Sequence, residues 1–230
     1  STALHKTISG VIHFGSIRGV TRTWASFFVP RRYKLLIKKT LIALAFVFAA
    51  SSVFADPVAS DDFSAAELSK NWKAAKGTWK VVDGKLSGAE ITADKHAAVL
   101  TYTSKHTDSK SKISFQLNGS RGFHLSFNHP KGHLYRVVVS ETGVQVNLDK
   151  DKKNPASKAM VLGKAEGKFE EGKTYTMTTE NVGDTVKVEF DNGVKLEAKN
   201  EKLTKPKTGY RLIIRGEGVL FDDFSILSSK

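Results

Sequence analysis

Residues 56–230 are predicted to fold as an all-β antiparallel sandwich or barrel, and three observations carry that expectation. Apolar and polar residues alternate with a period of two, turn dipeptides recur at short intervals, and helical periodicity is nearly absent. Four segments show the alternation plainly. Ile113, Phe115 and Leu117 alternate with Lys112, Ser114 and Gln116. Val186, Val188 and Phe190 alternate with Thr185, Lys187 and Glu189. Val194, Leu196 and Ala198 do the same with Lys195, Glu197 and Lys199, as do Tyr210, Leu212 and Ile214 with Arg211, Ile213 and Arg215. Successive strand side chains point to opposite faces, so each segment reads as a half-buried strand with its apolar set inward. Asp83-Gly84, Asn118-Gly119, Thr142-Gly143, Gly183-Asp184 and Asn192-Gly193 supply the turns. Asn-Gly and Asp-Gly tolerate positive φ and close tight hairpins.

One short N-terminal helix is expected, because Ser64-Ala65-Ala66-Glu67 is a capping box followed by Leu68 and Trp72 on one face. The string Asp61-Asp62-Phe63-Ser64 recurs as Asp222-Asp223-Phe224-Ser225. Nothing between the two copies repeats, so the echo predicts that the first and last strands, Ser60–Phe63 and Leu220–Leu227, pair antiparallel and so protect sheet edges. No linker or composition break divides residues 56–230, which reads as a single domain.

The N-terminal quarter reads differently. Residues 41–55, LIALAFVFAASSVFA, are apolar but short for a membrane span. Arg31, Arg32, Lys34, Lys38 and Lys39 precede them, and Val53-Phe54-Ala55 then Asp56-Pro57 follow. A basic region, an apolar core and a small-residue cleavage site in that order predict a signal peptide over 31–55, cleaved near Ala55. The expected location is periplasmic or extracellular, with no permanent span after cleavage; a retained anchor is the alternative. Arg31-Arg32 lacks the rest of a twin-arginine motif. Residues 1–30 read as an extension upstream of the true start, with Val29 a candidate start.

The leader dominates the charge. The net charge is +13, but residues 1–55 hold eight basic and no acidic residues, leaving 28 basic against 23 acidic and a net +5. No basic block interleaves with aromatics, so nucleic acid is not an expected partner. There is no cysteine, which excludes disulfides, thiolate metal sites and cysteine nucleophiles.

Four segments resemble the secreted 3-keto-disaccharide hydrolase domain family. They are DDFSAAELSKNWKAAKGTWKVVDGKLSGAE (61–90), ADKHAAVL (93–100), RGFHLSFNHPKGHLYRVVVS (121–140) and VLFDDFSIL (219–227). The resemblance spans about 170 residues, nearly the whole exported chain. It implies a concanavalin-like, laminin-G-like jelly-roll sandwich and hydrolysis of glycosides whose sugar carries a 3-keto group. The same segments mark sandwich modules that only bind sugars, so a non-catalytic carbohydrate-binding or adhesion module is the alternative. A structural envelope protein without a small ligand is the third reading.

Two constellations are candidate sites. In Arg121–Asn128, Phe123, Leu125 and Phe127 form an apolar face, and His124, Ser126 and Asn128 the other. If His129-Pro130-Lys131-Gly132 is a four-residue loop, Asn128 faces His133, Ser126 faces Tyr135 and His124 faces Val137. That places His133 and Tyr135 with the polar set, hydrogen-bonding groups beside an aromatic that can stack on a pyranose. A one-residue slip would substitute Arg136 for Tyr135. The second constellation is Glu90, Asp94, Lys95 and His96 in GAEITADKHAA. Glu90 and His96 are a candidate acid/base pair and Lys95 a substrate contact. A solvated sheet face and a plain polar loop are the competing readings.

Several chemistries lack their signatures. Glu189-Phe190-Asp191-Asn192-Gly193 misses the third carboxylate of the Glu-x-Asp-x-Glu strand used by retaining glucanases. No Gly-x-Ser-x-Gly elbow is present. His124, His129 and His133 fit no standard zinc spacing. No cofactor is expected; a structural calcium at Asp61, Asp62, Asp222 or Asp223 stays open.

Overall fold

The computed structural model describes residues 58–130 and 132–229. The expected extension and signal peptide lie outside the described residues. In chain order the strands are β1 Ala59–Asp61, β2 Trp72–Lys76, β3 Thr78–Val82, β4 Lys85–Ala89, β5 Ala98–His106, β6 Ser109–Leu117, β7 Gly122–His129 and β8 Gly132–Ser140. They continue as β9 Gly143–Leu148, β10 Met160–Glu166, β11 Thr174–Val182, β12 Thr185–Phe190, β13 Lys195–Lys199, β14 Lys207–Ile214 and β15 Val219–Ser229. Among the described residues the only helical pieces are two 3-10 turns, Thr92–Asp94 and Glu201–Thr204.

The strands form two antiparallel sheets. The first has the order β13-β12-β11-β6-β15-β4-β3, with β1 also paired to β15. The second has the order β10-β9-β8-β7-β14-β5-β2. Their apolar faces share one core, and aromatic pairs cross it. Phe123 of β7 meets Phe221 of β15 edge-on at 5.0 Å, and Tyr102 of β5 meets Phe224 at 4.9 Å. Such edge-to-face pairs add to the gain from area burial alone. All four segments singled out for alternation contribute to strands, three with their alternating apolar residues buried in the core and the fourth with Ala198 buried and Val194 and Leu196 half-buried against it. Asp83-Gly84 closes the β3–β4 hairpin with φ of 50° and 71°, as a type I′ turn requires.

The first and last strands do pair antiparallel, with Ala59 opposite Ile226, Ser60 opposite Ser225 and Asp61 opposite Phe224. The reason is not edge protection. β15 is an interior strand: β4 pairs with its Val219–Phe221 half, and β1 takes the same flank farther on. Both copies of the repeated string place a residue in left-handed backbone, Phe63 at φ 51° and Asp223 at φ 48°, and both bury their phenylalanine. Trp72 lies against Phe63 at 6.0 Å and Phe224 at 5.1 Å, so the two strings meet through one indole.

The expected helix at Ser64 is absent; residues 64–71 form bends and a turn. The Ser64 hydroxyl, which a capping box needs as an acceptor, instead donates to Asp62 Oδ1 at 2.7 Å. Phe63 and Trp72 are both anchored in the core, and the Trp72 indole N–H donates to Asp61 Oδ2 at 2.9 Å. The link between them is too short to reward nucleating a helix.

Candidate functional site

The candidate residues gather on the outer face of the second sheet because register stacks them across strands. Ser126 of β7 sits between Arg211 of β14 and Arg136 of β8. One step along, His124 sits between Ile213 and Val138, and Val99 of β5 follows Ile213. Val99, Ile213 and Val138 thus make an aliphatic floor beside His124. An open cleft of about 390 Å³ lies over this floor, with His96, Arg121, His124, His133, Arg136 and Arg215 in its lining.

The register near the hairpin follows the expectation and then departs from it. Asn128 faces His133, but the loop is tighter than expected, because His129 and Gly132 are themselves paired. A bulge between Phe127 and Asn128 then shifts the ladder, so Phe127 faces Tyr135 and Ser126 faces Arg136. Tyr135 is therefore not a sugar-stacking residue. It is fully buried, stacked on Phe127 at 4.3 Å and 9°, with its hydroxyl 3.5 Å from Asn181 Oδ1. Burial raises its phenol well above the usual tyrosine range. The physical cause is that Leu134 and Tyr135 are adjacent and both bury. Strict alternation would expose one of them; one extra residue in the strand lets both turn inward.

Arg136 takes the outer position. Its Nε donates to Asp149 Oδ2 at 3.0 Å and its Nη2 to Asp149 Oδ1 at 2.6 Å, a bidentate pair. Nη1 lies 3.5 Å from His124 Nδ1. A guanidinium only donates, so Nδ1 accepts and the His124 proton belongs on Nε2, toward a ligand's acceptors. Burial first, then Arg136, Arg215 and His133, lower the His124 imidazole to about 4. His133 Nδ1 lies 2.7 Å from Ser126 Oγ, and that hydroxyl lies 3.4 Å from Asn128 Oδ1. Burial lowers His133 as well; Asp149 opposes that shift, and Arg211, Arg136 and Lys152 add to it. Ser126 and Asn128 are themselves buried, so His133, not they, reaches the cleft.

The second constellation is only half assembled. His96 is exposed and lines the cleft, with Nδ1 2.7 Å from the Ala97 carbonyl. Glu90 is not among the cleft residues; its Oε2 accepts the Gly216 N–H at 3.1 Å and braces the β14–β15 connection. Lys95 is an exposed left-handed residue (φ 46°) ending the Thr92–Asp94 turn. Asp94 pairs with Lys76 at 3.6 Å. Three of the four calcium candidates are hydrogen-bonded locally: Asp61 by Phe63 and Trp72, Asp62 by Ser64, and Asp222 by the Asp223 N–H.

The sequence reading missed Arg215 and Asp149. In the sequence Arg215 is only one alternating residue, although Ile213 outward implies Arg215 outward at the same end as His124. Asp149 carries no signal in the sequence, and only the β8–β9 pairing brings it to Arg136.

No family model matches the chain, and none of the curated proteins does. Solved structures do share its fold. The carbohydrate binding module CBM66 from Bacillus subtilis matches with TM-score 0.55 at 15% identity, over 67% of this chain and 93% of that one. LamAcat from Zobellia galactanivorans matches with TM-score 0.54 at 15% identity, over 76% and 98%. Porphyranase B from the same organism matches with TM-score 0.54 at 11% identity, over 73% and 89%. The chain thus has a concanavalin-like jelly-roll sandwich fold.

Proposed function

We propose that this is a carbohydrate-active domain whose ligand lies in the cleft on the outer face of the second sheet. The observation that carries the reading is the cleft itself. Imidazole and guanidinium donors converge above the aliphatic floor of Val99, Ile213 and Val138, which is how a pocket holds a hydroxyl-rich ring. The names of the structural neighbours, a carbohydrate-binding module and glycan-degrading enzymes, support the same reading.

Hydrolysis of 3-keto glycosides is the finer proposal, and it assigns the base to His96, the exposed imidazole at the cleft. The base removes the C2 proton beside the C3 ketone. The C1–O bond then breaks, its electron pair leaves with the glycosidic oxygen, and that oxygen takes a proton. Water adds to C1 of the resulting enone. This route needs one base rather than two opposed carboxylates. Glu90, held by Gly216, acts in it only by positioning the β14–β15 connection.

The assay offers the purified protein a 3-keto disaccharide and its unoxidised parent. Turnover of the keto sugar, reduced about 100-fold or more in His96→Ala, supports the enzyme. Saturable binding without turnover, weakened about tenfold in His124→Ala, supports the binding module. Absence of both at millimolar sugar refutes the carbohydrate reading.

The proposal includes export, to the periplasm or beyond the cell. The exported protein is expected to begin at Asp56 on N-terminal sequencing; retention of residues 41–55 would refute cleavage and favour an anchor.

A further inference from the structure

The charge on the cleft says more about its ligand. Across the second sheet, Lys73, Thr101, Arg211, Ser126, Arg136 and Asn147 lie in one row. Lys76, Val99, Ile213, His124, Val138, Gln145 and Lys164 lie in the next. Both rows are basic, and neither contains a carboxylate. Among the described lining residues of the cleft are three arginines and three histidines, again with no carboxylate.

Three of the carboxylates that border this face are already paired with cations. Asp149 is taken by Arg136, Glu141 by Arg121 at 3.2 Å and Asp94 by Lys76 at 3.6 Å. Arg215, exposed in the cleft, has no carboxylate partner among the described residues. Arg211 has none either; its Nε donates to Thr101 Oγ1 at 3.3 Å. An unpaired guanidinium beside an aliphatic floor presents a planar fork of donors that matches a carboxylate or sulfate. The positive field is felt inside the site, where Arg136 and Arg215 help burial to keep His124 neutral.

We infer that the cleft selects an acidic glycan, whose carboxylate or sulfate group docks on Arg215 while His124 and His133 meet the ring hydroxyls. This rests on the reading of the cleft as a sugar site and specifies the class of sugar. Arg215 is a specificity residue in this account, since a neutral sugar does not engage its charge.

Calorimetric titration of the purified full chain tests it. The probes are three oligosaccharides of equal length: a neutral cello-oligosaccharide, an oligogalacturonate and a heparin-derived sulfated fragment. At least one acidic probe is expected to bind about tenfold or more tighter than the neutral one, the advantage shrinking between about 50 and 300 mM salt. Comparison of the two acidic arms identifies the group recognised. Arg215→Gln is expected to abolish the acidic preference while leaving the melting temperature unchanged. Lys112→Gln, on the other sheet, is expected to leave the preference intact. Equal binding of neutral and acidic probes overturns the charge inference and leaves the sugar site standing. Equal weakening by Lys112→Gln and Arg215→Gln also overturns it, since the attraction is then diffuse. Failure of all three probes overturns the inference, and the keto-disaccharide assay then decides the site on which it rests.

Discussion

Deleting residues 221–230 is expected to give a chain that does not fold. These residues are most of β15, which is paired along its length to β6, β4 and β1. Their loss takes Phe221, Phe224 and Ile226 out of the core, all three essentially fully buried. At about 1.5–3 kcal/mol for each large apolar side chain, that is about 5–9 kcal/mol, against a total domain stability of about 5–15 kcal/mol. β1 loses its partner strand β15 and β6 loses a flank, so backbone donors that were paired become buried orphans or open the sheet. The indole of Trp72 also loses Phe224. Circular dichroism through a thermal ramp is expected to show no cooperative transition; a cooperative melt would overturn the claim.

Arg136→Met is expected to cost about 2–3 kcal/mol at pH 7, just below the range of about 3–5 kcal/mol for breaking a buried ion pair because the arginine keeps some solvent contact. The Arg136 and Asp149 side chains are 28% and 14% exposed, so methionine leaves a carboxylate largely out of water without its guanidinium. The same change raises the His124 midpoint from about 4, since Arg136 is the largest charge holding it down after burial. The sign for stability follows. The unfolded imidazole takes its proton near 6.5, the folded one near 4, so the unfolded state binds more protons in that window. In the parent protein stability therefore falls as pH drops through about 6.5, and His124 contributes a loss of at most about 3 kcal/mol below 4. In Arg136→Met that acid-side loss shrinks. Urea unfolding at two pH values and a proton titration of His124 check both parts. Parent-like stability at neutral pH, or an unmoved His124 midpoint, would contradict the role given to Arg136.

The departures from the sequence reading cluster where two local rules compete. At Ser64 the capping box competed with an Asp62 side chain that binds the same hydroxyl, and the short tether between buried Phe63 and Trp72 decided against a helix. At Tyr135 a simple alternation from the hairpin placed an aromatic outward and would have sent Arg136 into the core. The sequence contains the signal that argues otherwise, because Tyr135, Val137 and Val139 form one alternating apolar set and an inward arginine is costly. Glu90 and His96 are six residues apart and looked like a pair, but the backbone of the β14–β15 connection captured the carboxylate.

By itself the sequence determined the all-β class, most strands, the tight turns and the pairing of β1 with β15. Those follow from period-two burial and positive-φ turns, which are local properties of the chain. It also determined that His124, Ser126 and Asn128 share one face. Only the tertiary structure decided that Arg136 and not Tyr135 joins them, that Asp149 holds that arginine, and that His96 and Arg215 reach the same cleft. Those facts depend on one bulged residue and on the register among β5, β7, β8, β9 and β14. Such a shift reverses every side chain beyond it, and what drives it is the packing of Leu134 and Tyr135 into a core assembled from strands distant in sequence.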